Sequence, residues 1–234
     1  MKTIYVFGDS HSSMFNVSHR KVPVEGDADF FKVSKEAVEH EGFEGFNGFV
    51  DRSSGVPLAY SLDKHHEVIM KELESIPFTA EDEMWFIFGE IDVRFHIFYW
   101  HQKLEITLDE SVDRVVDKYI LYVNKLRNLG YNIHIVSVVP PQPNPSPFFN
   151  DPTLEIKNPV RGAGITVEDR VYMTNRLNKN LKIECNKNDI PFRDVHTFIV
   201  DCVTGCNIPE WTRDKMHYYY IGDLIIEKMM EGAI

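Results

Sequence analysis

The sequence predicts a three-layer α/β/α sandwich built on a parallel sheet of about five strands. Two observations carry this reading: short apolar runs that fit buried strands, and helical repeats that lie between and after them. Residues 3–7 (TIYVF), 84–88 (MWFIF) and 132–138 (NIHIVSV) are dominated by β-branched and aromatic residues. Such runs lack the polar alternation of a half-exposed strand and fit strands covered on both faces. Weaker strands are expected near 45–50 and 191–196.

Helical spacing separates these runs. Residues 58–76 place Leu58, Leu62, Ile69, Leu73 and Ile76 on one side. Residues 111–129 repeat Val112, Val115, Val116, Tyr119, Ile120, Val123, Leu126 and Leu129, and Gly130 follows as a C-terminal stop. A third helix opens at Thr166, where Thr166 and Asp169 form a capping-box pattern, and runs to about Asn186. A last helix is expected after Tyr220. Alternating strands and helices imply crossover connections, with helices on both faces of a sheet of flavodoxin-like size. A single domain over residues 1–234 accommodates all of it. The segment VPPQPNPSPFF at 139–149 holds five prolines and excludes regular structure. It leaves a central strand on the ligand-binding edge of such sheets, which makes it a candidate lip of the site.

Composition narrows the function. The net charge of −11, from 36 acidic and 25 basic residues, argues against a nucleic-acid partner, which would require a basic face. No apolar run approaches the ~20 residues of a membrane span, and the opening MKTIYVFGDS is too short for a signal peptide, so a cytoplasmic location is expected. Cys185, Cys202 and Cys206 are too few for a disulfide framework and read as reduced thiols.

The strongest local signal is Gly8-Asp9-Ser10-His11, directly after the first strand. A glycine there permits a tight turn, and Ser10 then stands at a helix start, where backbone N–H groups favour negative charge. A serine is inert at neutral pH without a base. Near the far end, Asp214 and His217 lie three apart before the last helix, a spacing that lets the carboxylate hold one imidazole nitrogen while the other faces a serine. His96 and His101, five apart, do not match a metal-binding pair, and no glycine run follows a strand with the dinucleotide fingerprint. No metal and no cofactor are therefore expected.

Taken in order, these blocks resemble the GDSL/SGNH hydrolases, which carry G-D-S after strand one and D-x-x-H before the last helix. The resemblance implies a Ser10–His217–Asp214 triad and an oxyanion hole made by the N–H groups of Ser10 and Gly55, the latter in RSSGVP at 52–57. The family's third block, G-x-N-D, is matched here by Gly89-Glu90-Ile91-Asp92-Val93-Arg94. The chain thus resembles a divergent branch with G-E-I-D-x-R in that place. Ile91 stands where an asparagine side chain donates to the oxyanion, and isoleucine cannot donate. Loss of such a donor costs ~3–4 kcal/mol of transition-state stabilisation. Arg94 is the candidate replacement, oriented by Glu90; alternatively, Glu90, Asp92 and Arg94 form a structural ion-pair cluster. Asp9, His11, Glu90 and Asp92 are expected beside the site.

The resemblance implies a serine esterase acting on a small acyl ester, with an O-acyl group on a carbohydrate as the substrate class. Two alternatives stand beside it: an acyltransferase using the same serine, and a non-catalytic binding domain that keeps the fold.

Overall fold

The computed structural model describes residues 4–15, 43–45, 58–143, 164–212 and the helical positions 225, 228, 229 and 231; for Ser10, Ser12, Ser13 and 43–45 it describes the backbone alone. Five parallel strands form one sheet: β1 (Ile4–Gly8), β2 (Phe43–Gly45), β3 (Glu83–Ile87), β4 (Ile133–Val136) and β5 (Phe192–Arg193). Their order is β2-β1-β3-β4-β5, the doubly wound arrangement expected for a flavodoxin-like sheet. β1 is paired on both sides, Ile4 standing opposite Phe43 on one side and Glu83 on the other.

Alternate residues feed two separate cores, as the period of two in a strand requires. Tyr5, Phe7, Met84, Phe86, Ile133 and Ile135 face the helices α1 (His66–Glu74), α3 (Leu108–Asn128) and α4 (Val167–Lys187). Ile4, Val6, Trp85, Ile87 and Val136 face Met14, Phe15, Val195, Ile199 and Met229. With apolar side chains on both faces, the three-layer sandwich follows.

The long helices begin where their sequence provides a cap. Thr166 and Asp169 form the expected capping box. α3 starts earlier than its apolar repeat suggests, because Thr107 and Glu110 form a second box upstream of Ser111. Gly130 ends it with φ at +98°, the left-handed region that favours glycine.

Other expectations need correction. Residues 59–65 form a 3-10 turn before α1 instead of one continuous helix. Residues 95–100 belong to helical structure: a π-helical turn (Asp92–His96) leads into α2 (Ile97–Leu104). Arg94 therefore sits on a helical turn, not on an extended loop. β5 is shorter than residues 191–196 suggest; β2 includes residue 45 of the strand expected near 45–50, and 46–50 lie outside the described residues. Val139, Pro140 and Pro141 are buried, Gln142 is half-buried and Pro143 exposed, and residues 144–149 of the proline-rich lip lie outside the described residues. The cysteines are free thiols, Cys185 and Cys206 buried and Cys202 exposed. Among the described residues, no helix is long and apolar enough to cross a membrane.

One polar cluster lies inside the second core. Glu83 Oε2 accepts from Trp85 Nε1 at 2.8 Å and lies 3.3 Å from His134 Nδ1 and 3.4 Å from Arg193 Nη2. Arg193 also donates to Met229 O at 2.9 Å, tying the C-terminal helical residues to β5. Removing one partner of a buried ion pair strands the other charge. Glu83→Gln should therefore lower unfolding free energy by about 3–5 kcal/mol, measured by urea denaturation. The double change Glu83→Met/Arg193→Met should cost far less than either half, because it strands no charge.

Candidate active site

The carboxyl edge of the sheet collects the sequence-predicted residues that the structure describes. Gly8 is the last residue of β1, paired with Ile87 of β3. A Cβ on Gly8 would lie 2.3 Å from Ile87 O, so the glycine is required by the close approach of the two strands. Its expected role in a tight turn is replaced by this one, since its φ is not positive. Asp9 N then donates to Ile87 O at 3.2 Å, carrying the pairing one residue past the strand. Ser10 follows as the first residue of a 3-10 turn (Ser10–Phe15).

Asp9 and His11 close a tight ring around Ser10. Asp9 Oδ1 accepts from His11 N at 2.9 Å and stands 2.8 Å from His11 Nδ1. Both residues are buried. His11 Nδ1 also lies 3.7 Å from Glu90 Oε2, which joins the exit of β1 to the exit of β3. Glu90 in turn takes Arg94 in a two-point contact, Nε to Oε1 at 2.7 Å and Nη2 to Oε2 at 2.5 Å. Four side chains thus form one chain of contacts: Asp9, His11, Glu90, Arg94. Burial opposes charge on His11, but the Glu90 and Asp9 carboxylates outweigh it and hold the imidazole above its ordinary range.

Asp92 separates from this network. Its carboxylate accepts from Ala59 N at 2.8 Å and Tyr60 N at 3.4 Å, and it is fully buried. The expected ion-pair cluster of Glu90, Asp92 and Arg94 is therefore a pair, Glu90–Arg94, with Asp92 instead holding the segment that follows residues 52–57. Burial pushes the Asp92 carboxyl up to about 7, against the two N–H donors that favour its charged form.

Asp9, His11 and Glu90 bring potential ligand atoms within 4.8 Å of one another. Those atoms are spent on each other and on Arg94: the 2.8 Å Asp9–His11 contact is a hydrogen bond, and a guanidinium covers Glu90. The arrangement is that of an ion-pair chain. His96 and His101 turn instead to backbone carbonyls, those of Ile91 and Ile106.

Arg170, in the first turn of α4, was not anticipated. It is buried, and Glu90 favours its charged form while burial and Arg94 oppose it. A cation in a first helical turn runs against the helix dipole, and that mismatch was the available signal. Ser10 keeps its expected place in the backbone. Gly55, Asp214 and His217 lie outside the described residues.

No protein-family model and no curated protein matches the sequence. Solved structures do share the fold. An acetyl xylan esterase superposes with a TM-score of 0.50 at 13% identity, covering 99% of both chains. A protein assigned as an acylhydrolase from Bacteroides fragilis NCTC 9343 gives 0.54 at 17% identity, over 99% of this chain and 86% of its own. At such identities the likeness establishes the α/β/α fold.

The Asp92 environment yields a pH prediction. Its folded value, about 7, is raised above the ordinary 3.8, so the folded chain binds the proton more tightly. Its contribution to stability is then full below about pH 4 and is lost as pH rises through about 7, by up to about 4 kcal/mol. His11, also raised, adds a loss at higher pH, above its ordinary 6.5. Asp92→Asn should flatten the fall in unfolding free energy between pH 4 and 7, measured by denaturant titrations across that range. An unchanged slope would show that Asp92 is ionised throughout.

Proposed function

We propose that this chain is a serine esterase that removes small acyl groups, with O-acylated carbohydrate as its substrate class. Ser10 Oγ attacks the ester carbonyl carbon, and His217 takes the serine proton, oriented by Asp214. The tetrahedral intermediate collapses, the alcohol leaves with the proton from His217, and an acyl-Ser10 ester remains. Water, deprotonated by His217, then attacks that ester and releases the carboxylic acid. The observation that most supports this reading is the setting of Ser10. It stands two residues past the buried strand β1 at the carboxyl edge, between two side chains locked into a buried network. That edge is where doubly wound sheets bind ligands, and the acetyl xylan esterase above has the same fold.

The oxyanion would be met by the N–H groups of Ser10 and Gly55 and by the Arg94 guanidinium, which Glu90 orients from two sides. A charged donor of this kind is stronger than the amide that Ile91 replaces. Ile91 favours a second reading, a binding domain that has kept the fold without turnover. Hydrolysis of p-nitrophenyl acetate and of acetylated xylo-oligosaccharide decides between the two. Ser10→Ala and His217→Ala should each abolish nearly all turnover, and their combination should be little worse, because the members act as one unit. Wild-type rates in Ser10→Ala would remove the triad from consideration.

Arg94 carries a separate test. As an oxyanion donor, its loss in Arg94→Ala should lower kcat per folded molecule by ~10²–10³-fold, beyond any fall in melting temperature from stranding Glu90. Arg94→Lys should restore only part, since lysine lacks the planar fork. If Arg94 serves only to neutralise Glu90, the melting temperature should drop while turnover per folded molecule stays near wild type.

A further inference from the structure

We propose that His11 is a positioning residue of this site: a cationic bridge between Asp9 and Glu90 that fixes the Glu90–Arg94 pair beside Ser10. The inference rests on the esterase reading for its catalytic consequence, while the bridge itself stands on geometry. His11 Nδ1 lies between two carboxylates, 2.8 Å from Asp9 and 3.7 Å from Glu90. Asp9 leaves β1 and Glu90 leaves β3, so one imidazole spans the two chain segments that bracket the nucleophile. The whole ring is buried, where charge is tolerated only when balanced.

Charge along the chain from Asp9 to Arg94 favours a protonated imidazole. Asp9 and Glu90 bring two negative charges, and Arg94 supplies one positive charge through its two contacts with Glu90. A neutral His11 would leave the Asp9 carboxylate facing Glu90 with no cation between them. Protonation places a positive charge at the shared point and makes the four-residue chain neutral. Other charged groups act in both directions: Asp92 repels Asp9, whereas Arg94 opposes charge on His11 and Arg170 adds a second cation near Glu90 from α4. The upward shift of His11 follows from Glu90 and Asp9 overcoming its burial.

The bridge has a consequence that a packing role lacks. Once His11 loses its proton, Glu90 is repelled by Asp9 and released from the β1 side, and its hold on Arg94 loosens. Turnover should then fall on the alkaline side with the titration of His11, while the acidic side follows His217, whose neutral form is the base. The expected pH profile is a bell with its two limbs assigned to different histidines.

The test pairs a titration with a rate. The His11 imidazole is followed by NMR in the full-length wild type, using His11→Gln to assign the signal, and again in Glu90→Gln. The pH profile of p-nitrophenyl acetate hydrolysis is measured on the same proteins. His11 should titrate above the ordinary ~6.5 in the wild type and move down by about one unit or more in Glu90→Gln, as expected for loss of a nearby opposite charge. The alkaline limb of kcat should move down with it, and in His11→Gln that limb should vanish at a lowered plateau. A wild-type His11 titrating at or below ~6.5 overturns the bridge without any variant needing to fold. So does a titration that Glu90→Gln leaves in place, or an alkaline limb that does not follow the titration. If the titrations behave as expected and neither ester is hydrolysed, the bridge stands and the esterase reading fails. If the esters are hydrolysed and His11 titrates at its ordinary value, the reverse holds.

Discussion

The close contact between β1 and β3 at their carboxyl ends is the constraint on which the rest of this site depends. Gly8 lies so near Ile87 that no side chain fits between them, and Asp9 continues the pairing by donating to Ile87 O. Two chain exits that would otherwise diverge are thereby held side by side. Short side chains can then cross from one to the other, as His11 and Glu90 do. A larger residue at position 8 would push the strands apart at the point where the candidate nucleophile leaves the sheet. The packing requirement and the chemical requirement are met by the same glycine.

Held this closely, the sheet edge accumulates charge in a place water does not reach. Asp9, His11, Asp92, Arg94 and Arg170 are all buried. Each would be destabilising alone, and each has an answer of a different kind. Asp92 is met by backbone N–H groups and held toward its neutral form, whereas Glu90 is met by a guanidinium. The Glu83–Arg193–His134 cluster in the second core follows the same logic without lying beside the nucleophile. Buried ion pairs of this sort stabilise little in themselves, but they make the alternatives costly and so fix which groups sit together.

The sheet was legible in the sequence because its strands are buried on both faces and read as unbroken apolar runs. The long helices were legible by their spacing, and the start of α4 by its capping box. The helix α2 was not. Its aromatic run, Phe95 to Trp100, begins within a π-helical turn, whose wider winding shifts the phase of a 3.6-residue pattern. In the site, Ser10 and its neighbours were legible because glycine, strand end and polar residues coincide there. The Glu90–Arg94 pair was legible as an i,i+4 spacing. The attachment of Asp92 to Ala59 and Tyr60 was not, because its partners are main-chain N–H groups that every residue but proline carries. Sequence cannot point to a donor that is the same everywhere.

Ile91 gives this edge its particular character. An aliphatic side chain at Ile91 offers no hydrogen bond, and the nearby polar group on the same turn, Arg94, is charged. A guanidinium brought into a buried edge requires a counter-charge, and Glu90 provides it four residues away. That carboxylate then lies near Asp9, whose position is set by the close pairing of β1 and β3. A buried and a half-buried carboxylate at such range favour a cation between them, and His11 is the residue there. On this account the Arg94 guanidinium and the His11 imidazole belong to one network joined through Glu90, and neither can be understood separately.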